Sequence, residues 1–166
     1  MDYIQLKKRK DILRLGIKDE EGNVVKDEYN KEVCIEFNLG DIDLPIKYNK
    51  CVKLIEEARV KLKNQIFIIE KKQDHKGKGL LSKNEEDKVK AVKQFYNDME
   101  IAMNLFLGES GTKKYLNGRE PYWEMFDELS EGISPYLDKM KIKVSDMIER
   151  IEEKYKVSES DVLKNE

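Results

Sequence analysis

Apolar residues recur along this chain in two rhythms. Leu13, Leu15 and Ile17 alternate with Arg14, Gly16 and Lys18, and Val33, Ile35, Phe37 and Leu39 alternate with Cys34, Glu36 and Asn38. A period of two predicts strands with one buried face. Between them lie the turn signal Asp19-Glu20-Glu21-Gly22-Asn23 and a second polar stretch over 26–32. The pattern predicts an antiparallel hairpin over 12–40, or a small meander if Val24 and Val25 add a rung. A lone hairpin is marginal in water, so its apolar face must rest on the segments that follow.

Those segments carry the helical rhythm. From Pro45, the residues Cys51, Ile55, Ala58, Leu62, Ile66 and Ile69 fall at steps of three and four, which predicts a helix over 45–71. Its end, Ile66-Phe67-Ile68-Ile69, is apolar all round and must meet the hairpin, another helix or a partner. A charged, glycine-containing connection over 71–79 follows. Ser82 and Glu85 then have the spacing of a capping box, restarting a helix over 83–107. Val89, Val92, Tyr96, Met99, Met103 and Phe106 form its stripe, widened by Phe95 and Ala102. Tyr122, Phe126, Leu129, Ile133, Tyr136 and Met140 predict a third helix over 121–139. Pro135 should kink or split it by removing an amide donor and crowding the preceding turn. Val144, Ile148, Ile151 and Tyr155 mark a fourth over 140–155. No internal repeat stands out. The fold class expected is α+β, mainly α: a small N-terminal β-hairpin or meander packed on a bundle of three to four helices, one domain over 1–157 with a flexible tail over 158–166.

One corner is more specific than the stripes. After Phe106 and Leu107, Gly108 is suited to end a helix with positive φ, and Ser110-Gly111-Thr112 can cap a short new turn. Asn117-Gly118 can close that turn, and Pro121 stands where a further helix would begin, with Tyr122, Trp123 and Phe126 behind it.

Composition narrows the class of function. The 166 residues are 40% charged and 39% hydrophobic, so most charge must lie on the outside of a modest core. Lys and Arg (32) nearly balance Asp and Glu (34), which argues against a protein devoted to covering nucleic-acid phosphates. Cys34 and Cys51 are expected as free thiols in a reducing cytoplasm. The first ten residues have no apolar run of the signal-peptide kind, and no segment has the length of a membrane span. A cytoplasmic protein is expected, with no membrane partner.

Catalytic chemistry is hard to assemble from these residues. His75 is the only histidine, so two-histidine metal motifs do not arise. Its surroundings, Asp74-His75-Lys76-Gly77-Lys78-Gly79, lack the spacing of a phosphate loop and any preceding strand. Ser110 lacks both the flanking pattern of a nucleophile elbow and a histidine partner. Glu124 with Glu128, and Asp127 with Glu131, share helix faces and read as solvated or dipole-complementing charge. Lys7, Lys8, Arg9 and Lys10 form a basic cluster with no interleaved aromatics for stacking on bases. We expect no catalytic residues, no metal site, no cofactor and no enzymatic activity. Side-chain type alone singles out Met99, Met103, Tyr122, Trp123 and Phe126 as partner-binding residues, since large aromatics anchor interfaces and methionines line adaptable ones; the competing reading, favoured for Trp123, packs the aromatics on the Leu116 corner of the same chain and the methionines in its core.

The layout resembles the small tail-assembly chaperones of long-tailed bacteriophages of Gram-positive hosts and their related prophages. The resembling features are the hairpin ending in Ile35-Glu36-Phe37-Asn38, the helix from Pro45, and above all Phe106-Leu107-Gly108-Glu109-Ser110-Gly111-Thr112-Lys113-Lys114. In such chains a helix meets a Gly-Glu-Gly-Thr-like turn before an aromatic-bearing helix; this chain departs from the pattern at Ser110. The resemblance implies a non-enzymatic chaperone that coats the helical tape-measure protein before tail tube subunits displace it. The implied partners are the tape-measure protein and the tube protein, with room for a homo-oligomer. The rivals are a structural or adaptor component retained in the virion, and a small regulatory protein binding nucleic acid through Lys7, Lys8, Arg9, Lys10, Lys76 and Lys78.

Overall fold

The computed structural model describes residues 1, 3–5 and 11–155. The basic cluster at Lys7, Lys8, Arg9 and Lys10 and the tail over 158–166 lie outside the described residues. Strands β1 (Ile12–Gly16) and β2 (Cys34–Asn38) pair antiparallel, with Leu13 opposite Phe37 and Leu15 opposite Ile35. This register puts the odd-numbered apolar residues on one face, where Ile17, Ile35, Phe37 and Leu39 are buried. On the other face Arg14 and Glu36, directly opposite each other, join at 2.7 Å.

Beyond the paired strands the sheet ends in a three-way junction. The Ile17 amide donates to the Val33 carbonyl, Val33 to Val25, and Val25 back to Ile17, a closed cycle of three backbone bonds. Val25 is thus the added rung, and the structure has the meander form. Two turns project from the cycle, and they are copies of each other. In one, the Asp19 carboxylate accepts from the amides of Glu21 and Asn23; in the other, Asp27 accepts from Tyr29 and Lys31. Gly22 (φ 84°) and Asn30 (φ 60°) take the positive-φ position in each, a conformation open to glycine and tolerated by asparagine. The bridges Lys18–Val24 and Lys26–Glu32 repeat at the same offset. Ile17-Lys18-Asp19-Glu20 and Val25-Lys26-Asp27-Glu28 therefore begin an eight-residue internal repeat, contrary to the expectation of none.

Helix α1 (Leu44–Glu70) buries Cys51, Ile55, Ala58, Leu62 and Ile69, most of the predicted stripe. Helix α2 (Lys83–Leu116) begins with the predicted capping box: the Ser82 hydroxyl accepts from the Glu85 amide, and the Glu85 carboxylate accepts from the Ser82 amide at 2.7 Å. The connection between these helices is tied down at several points. The Asn84 side-chain amide donates to the carbonyls of Ile69 and Lys72, capping the end of α1, and Asp74 accepts from the Asn84 amide. Along α2 the buried line runs through Ala91, Phe95, Met99, Ala102 and Phe106. Phe95 and Ala102, expected at the margin, lie in the middle, while Val89 is exposed. Packing on α1 and on Trp123, whose ring lies 4.9 Å from Phe95, sets the seam.

Two corrections concern the later helices. The helix expected to stop at 107 is interrupted at Gly108 (φ 74°, ψ 159°), where a kink separates it from a short second helical segment that runs to Leu116, as the corner predicts; only the conformation at Gly108 differs from expectation. That backbone conformation is positive in φ yet extended, so it is not the left-handed helical cap expected. The fully buried Thr112 hydroxyl donates to the Gly108 carbonyl and holds the break, and Asn117 in the left-handed region closes the segment. Further on, one helix, α3 (Met125–Tyr155), stands in place of the two expected over 121–139 and 140–155. It starts after Pro121 rather than at it. Pro135 does not split it: Pro135 and Glu131 are both exposed, so the carbonyl that loses its donor faces water and the cost falls.

Two outcomes test this fold. Gly108→Ala forces a side chain into a conformation that is essentially glycine's alone and should cost about 1–3 kcal/mol in urea unfolding. Cys51 is fully buried, and burial pushes its thiol from 9.0 up to about 12. Between those values the unfolded chain loses the thiol proton and the native one keeps it, so stability must fall as pH rises. Urea titrations from about pH 9 to 10.5 should show an added loss of up to about 1.4 kcal/mol per pH unit, reduced in Cys51→Val.

Candidate functional site

The five residues singled out from side-chain type separate by depth. Met99 and Met103 are 0% exposed and Phe126 is 5% exposed. All three are spent on the core of their own chain and present no surface to a partner in this fold. Trp123 is 42% exposed. Its inner face meets Phe95, and the Arg59 guanidinium stands 5.4 Å from its ring centroid. Arg59 is in turn held by Asp127 at 2.7 Å. Trp123 thus clamps the start of α3 to α1 and α2. Tyr122 lies apart from it, beside a cleft.

That cleft, of about 760 Å³, opens between the β1 end of the hairpin, the end of α2 and the first turns of α3. Leu15, Ile17, Ile35, Leu129 and Ile133 line its apolar part. Tyr115 and Tyr122 form one wall. The Tyr115 hydroxyl donates to the Met125 carbonyl at 3.1 Å, and the Tyr122 hydroxyl donates to the Glu128 carboxylate. Burial raises the Tyr115 phenol above its ordinary value; burial and the neighbouring Glu128 do the same for Tyr122. Both therefore remain protonated donors throughout the neutral range. Arg119 turns back over the end of α2, its Nε bonded to the Leu116 carbonyl and Nη2 to that of Tyr115. A cation placed there complements the negative end of the helix.

The acidic pairs noted in the sequence resolve into these contacts: Asp127 to Arg59, Glu128 to Tyr122. Among the described residues no group of three or more His, Cys, Asp or Glu side chains is placed to hold a metal ion. His75 lies in the tied connection after α1, and Ser110 is exposed.

A second surface escaped side-chain reasoning. On the back of α1, Val60, Phe67 and Ile68 are exposed, Phe67 at 57%, with the Lys71 ammonium 4.2 Å from its ring centroid. On α2, Ile101 (60% exposed) and Leu105 follow Asp98 at steps of three and four, on one side of the helix. Lys61 reaches Asp98 from α1 on that side, and Leu54, also exposed, lies seven residues before Lys61. Leu54, Ile101 and Leu105 therefore flank the outer seam of the α1–α2 pair. The signal was present in the sequence as the all-round apolar run 66–69 and as apolar residues off the main stripe of α2. A third exposed stripe is Ile148, Ile151 and Tyr155, in the half of α3 beyond Met140, the last buried residue of that helix. Among the described residues no helix is long and apolar enough to cross a membrane.

Truncating Trp123 should register first in stability. Trp123→Ala removes the Phe95 contact and the Arg59 cation–π contact and should lower stability by about 1–3 kcal/mol. Met99→Ala should cost about 2–5 kcal/mol, each read from the shift of the urea midpoint. Searches against known protein families, curated proteins and solved structures find no match to this chain.

Proposed function

We propose that this protein is a non-enzymatic assembly chaperone that holds an amphipathic helix of another polypeptide, and that its partner is the tape-measure protein of a phage tail in the host cytoplasm. The observation that carries the reading is the set of unpartnered apolar side chains on the back of α1 and along its outer seam with α2. Leu54, Val60, Phe67, Ile68, Ile101 and Leu105 stay exposed in a chain rich enough in charge to have covered them. Surfaces of this kind, rimmed by charge, mark sites of protein association. An amphipathic helix laid along two antiparallel helices meets exposed apolar residues a turn or two apart, as Ile101 and Leu105 are on α2 and Val60 and Phe67 are on α1. The resemblance in the Phe106–Thr112 corner and the hairpin narrows the class to tail-assembly chaperones.

The energetics suit a reversible holder. Burying a few half-exposed aliphatic side chains contributes a few kcal/mol after the cost of association, which gives weak binding per copy. Several copies along one long helix then hold it firmly, while each contact remains open to displacement by a competing subunit.

Co-expression with an aggregation-prone fragment of a tape-measure protein should raise the fraction of that fragment in the soluble lysate. The pair Phe67→Glu and Ile101→Glu should abolish the rescue while leaving the melting temperature within a few degrees, because exposed substitutions alter stability by about 0.5 kcal/mol or less. Rescue that survives the double substitution moves the binding surface elsewhere; no rescue by the wild type removes the reading. Mass spectrometry of purified particles separates a chaperone, which is absent from them, from an adaptor, which is retained.

A further inference from the structure

We infer that the cleft between β1 and α3 is an anchoring site for a bulky apolar side chain carried on a basic segment of a partner polypeptide. This rests on the reading of the chain as a polypeptide-binding protein, and it adds a second contact region on a different face from the outer α1–α2 seam.

The first observation is Gly132. It lies inside α3, two turns from its start, and lines the cleft. Glycine inside a helix costs about 1 kcal/mol relative to alanine. Nothing in this fold requires it there: its φ is not positive, and a Cβ built at Gly132 meets no atom within 4 Å. The neighbouring Leu129 and Ile133 are buried, so the missing side chain leaves open space above an apolar floor. At about 760 Å³ the cleft lies within the range that encloses a sizeable ligand group.

The second observation is charge. Asp19, Glu20, Glu120 and Glu128 stand against Lys18 and Arg119 around the opening, four acidic groups to two basic ones. Arg119 directs two of its donors at the carbonyls of Tyr115 and Leu116 and forms a loose ion pair with Glu20 at 3.8 Å, so the rim keeps a net negative charge from its remaining acidic groups. Asp19 is engaged in its own turn, whereas Glu20 is 79% exposed and Glu120 is exposed. An apolar pocket with an acidic rim complements an apolar anchor flanked by Lys or Arg and repels one flanked by Asp or Glu.

The test uses two labelled five-turn peptides of about 18 residues with helical periodicity, one of leucine and lysine and one of leucine and glutamate, titrated into the full chain by fluorescence anisotropy. The leucine–lysine peptide should bind about tenfold more tightly than its acidic counterpart, and more weakly as salt rises from about 50 to 500 mM. Gly132→Leu fills the floor of the cleft. It should weaken the basic peptide about tenfold while circular dichroism and melting temperature stay at or above wild type. The double variant Glu20→Lys with Glu120→Lys should weaken it similarly, and it carries the decision if Gly132→Leu fails to fold. Equal affinity for wild type and both variants overturns the cleft as the site and leaves the chaperone reading standing. Tighter binding of the acidic peptide overturns the charge assignment and with it this inference. Failure of both peptides to bind the wild type overturns the inference; if tape-measure co-expression also gives no rescue, the chaperone reading falls as well.

Discussion

The fold turns on the ring of Phe106. It meets Phe37 of the hairpin and Tyr48 of α1, each with ring centroids 5.2 Å apart, from a position two residues before the backbone breaks at Gly108. Three elements are joined at one side chain, and each aromatic pair contributes about 0.5–1.5 kcal/mol beyond its buried area. The hairpin could not stand alone; this contact gives its apolar face a floor. The break that follows displaces the last turns of α2, so that Thr112 and Leu116 are buried and Tyr115 borders the cleft. Without the break, a straight α2 would carry these residues on a different line.

Much of this order could be read along the chain before any coordinates, and the reasons are local. Strand alternation survives because one residue of slip would expose every apolar side chain of β1 and β2. The line from Cys51 to Ile69 and the box at Ser82 and Glu85 are contained within single helices, and both appear in the structure. Where the reading departed, a partner in space decided. The seam of α2 rotated toward Phe95 because Trp123 and α1 pack there. Pro135 was accommodated because its helix face is wet, which periodicity does not reveal.

The binding residues were less legible than the core, for a physical reason. Methionine and phenylalanine at helical spacing look the same whether they fill an interior or wait for a partner. Met99, Met103 and Phe126 proved to be interior, Trp123 a clamp between helices, and only Tyr122 borders an open site. Exposure emerged instead at Phe67, Ile68, Ile101 and Leu105, where apolar residues exceed what their helices can bury. Excess over the requirement of one stripe was the legible clue. The cleft was not legible, because its walls come from four separate stretches of the chain.

The cycle of bonds among Ile17, Val25 and Val33 has a consequence for behaviour at high concentration. A two-stranded ribbon ordinarily offers its margins, where amides and carbonyls lack a neighbour, as templates on which other chains stack. Here the distal end is sealed, because each of the three strand segments uses its amide and carbonyl on a neighbour within the same molecule. Growth of intermolecular cross-β aggregates from that end would first have to open the ring, so the tip of the ribbon is guarded by backbone geometry alone.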